Sequence, residues 1–176
     1  VHDGVVVIAW GDVERRYLLH SARKSFMSGL YGVHVDAGRI DVEKTLSELG
    51  IDDQNFPLNE TEKQARIIDL LRARSGVYHL AAAEPPQNPK PERGAYPPGE
   101  HWCYNNWDFN ALCTIIEQEL DIRFFEDLDK HFGRPLQMQD FRPLHGIYQF
   151  EPDKSIHPAY HIRMSARDIA RYGLLF

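Results

Sequence analysis

The chain opens on a continuous apolar run from residue 4 to 10, Gly-Val-Val-Val-Ile-Ala-Trp, which predicts a buried strand. Gly11-Asp12 is a turn signal, and residues 13 to 19 can return as a second strand, giving an N-terminal β-hairpin over residues 1–20. The period then changes. Phe26, Leu30 and Val33 recur at helical spacing behind Ser21, which predicts a helix from Ser21 to about Ala37 with Gly38 as its C-terminal cap. Residues 41 to 49 read as a short helix closed by Gly50. Asn59-Glu60-Thr61-Glu62 has the form of a capping box opening an amphipathic helix through Ile67, Ile68, Leu70 and Leu71 to Ser75-Gly76. Residues 84 to 99 hold six of the eleven prolines, so they read as a surface loop or extended arm. Beyond them, Asn106 or Asp108 caps a helix reaching Glu119, residues 123 to 131 form another that breaks before Pro135, and Ser165-Ala166-Arg167-Asp168 starts the last. Residues 141 to 161, rich in aromatics, Pro and His, receive no assignment. The pattern is α+β: a hairpin feeding a mainly helical body (21–176) in one domain.

Composition narrows the possible functions. A length of 176 residues suits one domain, and the absence of any run of eighteen apolar residues leaves no membrane span. The net charge is −6 and the basic residues are scattered. Arg66, Arg72 and Arg74 share their segment with Glu60, Glu62 and Asp69, so there is no basic stripe for nucleic acid. Cys103 and Cys113 lack the spacing of a redox or zinc motif and read as free thiols. No signal peptide is visible, but Val1-His2-Asp3-Gly4 reads as a chain already under way. The closing apolar run to Phe176 has no stop signal, so a piece of a longer protein is expected.

Candidate chemistry begins at Ser21 and Lys24. Three residues apart on a helix they share a face, and a serine hydroxyl needs a base within hydrogen-bond reach to act as a nucleophile. A lysine amine serves once burial or a neighbouring cation lowers its pKa. By itself the pair is weak, since a capping serine followed by a surface lysine explains it equally well. Tyr104-Asn105-Asn106, after the Pro98-Gly99 turn, adds a phenol able to relay a proton and an amide able to meet a substrate carbonyl. His157 and His161 have helical ligand spacing, but Pro158 opposes a helix and no acidic partner is placed, so neither a metal nor a cofactor is expected.

In this order the segments resemble the serine β-lactamase and penicillin-binding-protein superfamily. The branch they resemble is class C, which also holds family VIII carboxylesterases and D-amino-acid peptidases. The resemblance rests on Ser21-Ala22-Arg23-Lys24, Val35-Asp36-Ala37-Gly38, Leu70-Leu71-Arg72-Ala73-Arg74-Ser75-Gly76, Pro98-Gly99 through Tyr104-Asn105-Asn106, Pro135-Leu136-Gln137-Met138, and Ser165 to Gly173. It implies a β-lactamase/transpeptidase-like fold, represented here by its helical part with an N-terminal hairpin and truncated before the C-terminal strands. It further implies Ser21 as acylated nucleophile, Lys24 as its base, Tyr104 as second proton-transfer residue and Asn106 as substrate contact. The implied oxyanion hole uses the N–H of Ser21 and one on a late strand. The family's third motif, Lys or His followed by Ser or Thr and Gly, is absent through Phe176. Gln137 stands where the family usually has glycine.

The implied activity is a serine hydrolase acting on a small ester, amide or β-lactam, with Arg23 favouring an esterase or amidase over a dedicated β-lactamase. Trp102 and Trp107, with the proline-rich arm, are expected to line the cleft entrance. The alternative is a non-catalytic ligand-binding or sensor domain on the same scaffold. The source is expected to be bacterial and the compartment cytoplasmic or periplasmic. Oligomeric state is left open.

Overall fold

Helix α3 (Asn106–Leu120) is the element around which the other layers assemble. Trp107, Ala111, Leu112, Ile115 and Ile116 are fully buried on it, and each buried Leu or Ile contributes about 1.5–3 kcal/mol over an exposed one. Helix α1 (Arg23–Asp36) packs against it through Phe26, Met27, Leu30 and Tyr31, whose hydroxyl donates to the Leu112 carbonyl at 2.8 Å. Helix α2 (Ile67–Leu71) covers another side. These relations come from a computed structural model that describes residues 1–2, 4–85 and 89–175. Asp3, residues 86–88 of the proline-rich arm and Phe176 lie outside the described residues.

The expected N-terminal hairpin is not formed. Residues 4 to 10 are exposed, and His2–Val5 is the only bridge in this region among the described residues. The Asp12 carboxylate accepts the N–H groups of Glu14 and Arg15 in the turn that follows. The chain then leads to β1 (Tyr17–Leu18), which pairs antiparallel with β4 (Arg163–Met164) rather than with residues 4 to 10. A hairpin does exist elsewhere, in the stretch left unassigned: β2 (Ile147–Glu151) pairs with β3 (Ser155–His161), which packs on α3. Pro158 obscured it in the sequence. The register shifts between Gln149 and Glu151, and such an irregularity is where a strand tolerates a residue without an N–H.

Residues 41 to 49 are turns, not a helix. The Leu46 N–H donates to the Ala65 carbonyl at 2.8 Å and Ser47 to Lys63 at 3.0 Å, while Ile67 and Ile68 donate back to Lys44 and Val42. Those cross-chain bonds use the backbone groups that a helix would need, and they also interrupt the helix expected from Glu62. The reciprocal Asn59–Glu62 cap is present at 2.8 and 2.9 Å, but only a 3₁₀ turn (Glu62–Gln64) follows before Ala65 becomes extended.

Other boundaries agree more closely. Helix α1 ends with Gly38 at φ +66° and Arg39 donating back to the His34 carbonyl at 2.8 Å. Helix α4 (Phe124–Leu128) continues as a π-helical turn (Asp129–Gly133). Helix α5 (Ala166–Gly173) is capped by Ser165, and buried Asp168 accepts the N–H groups of Gln139, Asp140 and Phe141 at 2.7 to 2.9 Å, fixing that loop to the helix. Both cysteines are free thiols, Cys113 buried and Cys103 half-buried.

Candidate active site

Leu19, anchored by its N–H to the Ile162 carbonyl at 3.0 Å, brings the chain from β1 into a 3₁₀ turn (His20–Ala22) that runs directly into α1. Ser21 sits in this turn and Lys24 in the first turn of the helix. The preceding His20 adopts φ +45°, a left-handed conformation that few non-glycine residues take. Ser21 does not act as a helix cap. Its hydroxyl instead faces Lys24 Nζ at 3.2 Å and Tyr104 Oη at 2.5 Å.

Lys24 is 7% exposed, and its Nζ is 2.7 Å from Tyr104 Oη and 2.8 Å from Asn106 Oδ1. It also lies over the Tyr104 and Phe109 rings. Burial, then the neighbouring Arg23 charge, lowers its pKa from 10.5 to about 7, against a smaller upward pull from Glu84. A substantial fraction of Lys24 is therefore a free amine at neutral pH.

The orientation of Asn106 decides how that amine is used. Its Nδ2 donates to the Ala83 carbonyl at 2.8 Å, so Oδ1 is the atom turned toward Lys24 and can only accept. A neutral amine has two protons and one lone pair. With one proton on Asn106 and one on Tyr104, the lone pair is left for the Ser21 proton, while Tyr104 donates to Ser21. Ser21, Lys24 and Tyr104 thus close a triangle in which each group both donates and accepts.

Tyr104 and Asn106 are held by the mouth of α3. Asn105, not Asn106 or Asp108, is the cap: its side chain accepts the Asp108 N–H at 2.8 Å and donates to the Cys103 carbonyl. Cys103 and Gly99 donate to Ala73 and Arg74, tying the Tyr104 segment to the stretch after α2. Ser75 then donates to Asp108 at 2.6 Å and accepts from the Val77 N–H. Burial raises Asp108 to about 8, offset in part by the Ser75 and Asn105 hydrogen bonds, so this carboxyl is largely a neutral acid at pH 7. Gly76, at φ +71°, has no room for a side chain, because a Cβ would lie 2.7 Å from the Tyr96 carbonyl oxygen.

A cleft of about 420 Å³ opens over the triangle, walled by Leu18, Glu84, Pro85, Gln149 and His161. Pro85 places the start of the proline-rich arm at its edge, but the two tryptophans are elsewhere. Trp107 is fully buried, its indole N–H donating to Asp53 at 3.0 Å, because its position in the first turn of α3 faces the core. Trp102 is 60% exposed and does not line the cleft. His157 and His161 do not form a metal pair: His157 meets Thr114 and the Asp52 carbonyl, His161 meets Gln149.

Sequence reasoning missed the structural role of Arg23. It is 3% exposed, donates to the His20 carbonyl at 3.1 Å and to Asn110 at 3.5 Å, and stacks over Tyr160. No carboxylate forms an ion pair with it among the described residues, so its charge bears on Lys24 uncompensated. No sequence signal identifies this, since Asn110 and Tyr160 are far away in the chain.

A serine–lysine–tyrosine triangle at the start of a core helix, with the lysine buried and the serine hydroxyl open to the cleft, is the arrangement in which a serine can be made nucleophilic, and comparison with known proteins gives the family. A family model described as Beta-lactamase matches residues 1–175, and the chain belongs to that family. Its fold is similar to that of a penicillin-binding protein from Bacillus halodurans (17% identity, TM-score 0.64, covering 93% of this chain and 60% of that one). A beta-lactamase from Mycobacterium bovis is similar at 19% identity and TM-score 0.61, over 95% of this chain and 50% of that one. A D-stereospecific amidohydrolase from Streptomyces sp. is similar at 16% identity and TM-score 0.61, over 91% and 60%. This chain spans 50% to 60% of the length of these structures. No curated protein matches it. No helix among the described residues is long and apolar enough to cross a membrane.

Proposed function

We propose that the protein is a serine hydrolase of the class C type that passes through an acyl-enzyme on Ser21, with esters and amides preferred to β-lactams. The observation that carries this reading is the donor–acceptor closure of Ser21, Lys24 and Tyr104, with Asn106 Oδ1 reserving one amine proton. Ser21 Oγ forms a bond to the substrate carbonyl carbon as its proton passes to the Lys24 lone pair. The carbonyl π electrons move onto oxygen, in reach of the Ser21 N–H and a second donor that the family places on a later strand. Collapse breaks the bond to the leaving group, which takes its proton through Tyr104 from Lys24. Water then attacks the acyl carbon, with the same pair returning the proton to Ser21. The ester and amide preference rests on Arg23 standing between Ser21 and Lys24.

The intact protein, incubated with an activated ester or a β-lactam, is expected to gain the mass of the acyl group on the peptide containing Ser21, faster with the ester. The Ser21→Ala variant gains none. Absence of both adduct and turnover with either reagent overturns the proposal.

Arg23 also tunes this reaction. Removing its charge in Arg23→Met lets the Lys24 pKa rise, so the acidic limb of the kcat/KM profile moves to higher pH. A profile that stays in place shows that burial alone sets the amine.

A further inference from the structure

We propose that His34, Asp127 and His131 form a binding site for one divalent transition-metal ion of the zinc class, structural in role and separate from the cleft. One ligand atom from each residue lies within 4.8 Å of the other two, and no other such group occurs among the described residues. His34 is in the last turn of α1, ten residues beyond Lys24, or about 15 Å along the helix. Asp127 and His131 come from α4 and its π-helical turn, where a spacing of four residues turns both toward His34.

The present contacts are those of a donor set not yet closed around a centre. His34 Nε2 is 2.7 Å from Asp127 Oδ2, and His131 Nε2 is 3.4 Å from Asp127 Oδ1. Four-coordinate zinc with bonds of about 2.0–2.1 Å puts its ligands roughly 3.4 Å apart, so closure needs small side-chain shifts only. Two imidazoles and a carboxylate suit zinc, whereas calcium and magnesium prefer an all-oxygen shell.

A second observation points to a ligand. His131 Nε2 is buried yet makes no hydrogen bond, although its neighbours are polar. It sits in a π-helical turn, a distortion often found at functional positions. The His131 side chain remains 22% exposed, which gives solvent access for a fourth, water ligand.

The chemistry of His34 supplies a sharper expectation. Its Nδ1 faces the Arg39 guanidinium at 3.3 Å, which can only donate, so His34 now carries its proton on Nε2 and donates it to Asp127. Metal binding requires Nε2 to release that proton and Nδ1 to become the N–H. Arg39 would then oppose an N–H with an N–H, so this exposed side chain must withdraw. Replacing it with glutamine offers Nδ1–H an acceptor and removes a like charge.

Titration of the metal-free intact protein with Co²⁺, followed by visible absorption, is expected to give the d–d bands of one four-coordinate site, and Zn²⁺ to displace them and raise Tm. In His131→Ala, which loses no hydrogen bond, affinity falls by more than about 100-fold, beyond the roughly 10–100-fold effect of losing an outer-shell partner, and the Zn²⁺-dependent rise in Tm disappears. Arg39→Gln binds more tightly. Binding absent from the native protein, binding unchanged in His131→Ala, or weaker binding in Arg39→Gln overturns the proposal. None of these readouts depends on hydrolysis.

Discussion

Lys24→Ala in the intact protein lowers the rate of Ser21 acylation by about 10³-fold while leaving ligand affinity nearly unchanged. A stopped-flow measurement of acyl-enzyme formation, with a binding assay alongside, checks both halves. The loss follows from the triangle: without the amine, the Ser21 proton has only Tyr104 nearby, and that hydroxyl already donates to Ser21. A purely ligand-binding domain would keep its affinity and have no rate to lose. The pH dependence has a definite sign. Neutral amine is the active form, and its pKa is about 7, so acylation rises with pH through neutrality and then levels. Stability moves the same way for a different reason. The folded pKa lies below the unfolded value of 10.5, so the unfolded chain binds more protons between about pH 7 and 10.5, and stability rises with pH across that window. Lys24→Met therefore gains stability relative to the native protein near pH 6 and loses that advantage toward pH 10.

Asp53→Ala destabilises the protein by about 3–5 kcal/mol, read as a fall in urea midpoint and Tm. Asp53 is 3% exposed and its carboxylate joins α3, β3 and its own loop. Its carboxylate takes the Trp107 indole N–H at 3.0 Å from α3, the Ser155 hydroxyl at 2.5 Å and the Ile156 N–H at 3.0 Å from β3, and the Gln54 N–H at 2.9 Å from its own loop. Burial pushes its pKa up, but the bonds from Ser155, Trp107 and Ile156 outweigh that and hold it below the usual carboxylate range. Truncation to alanine strands all of these donors in the core, and each unsatisfied buried donor costs about 1–3 kcal/mol before relaxation. Asn at this position retains one acceptor oxygen and loses less. Because the folded pKa is depressed, this contribution is complete above the unfolded pKa and disappears as pH falls through the folded one. Trp107 adjoins Asn106, so the variant also loosens the residue that orients Lys24.

The helices most legible in the sequence were those whose signals are local. Gly38, Ser165 and the aliphatic positions of α1 and α3 announce their elements without help from elsewhere. Elements decided by distant partners were misread. Residues 41 to 49 have helical composition, but their backbone groups are taken by residues 63 to 68. The β2–β3 hairpin was hidden by Pro158. The candidate site divided in the same way. Ser21, Lys24, Tyr104 and Asn106 carry a spacing that sequence reasoning can find, and the structure brings those four together. Trp102 and Trp107 were placed by residue type alone, and a tryptophan serves a core as readily as a cleft. The burial of Arg23 under Asn110 and Tyr160, and the Ser75–Asp108 contact, depend on residues remote in the chain.

The exposed stretch Val5-Val6-Val7-Ile8-Ala9-Trp10 has a colloidal consequence. Five of its six residues have high β propensity and it has no charge and no proline, the composition of segments that stack between chains. All six are exposed, Ile8 at 80% and Trp10 at 93%. A preparation of this polypeptide alone therefore carries its own nucleus for intermolecular strand pairing, remote from the buried core that determines its unfolding. Its shelf life in solution is set by concentration rather than by conformational stability, and a lysine at position 6 or 8 is the substitution that separates the two.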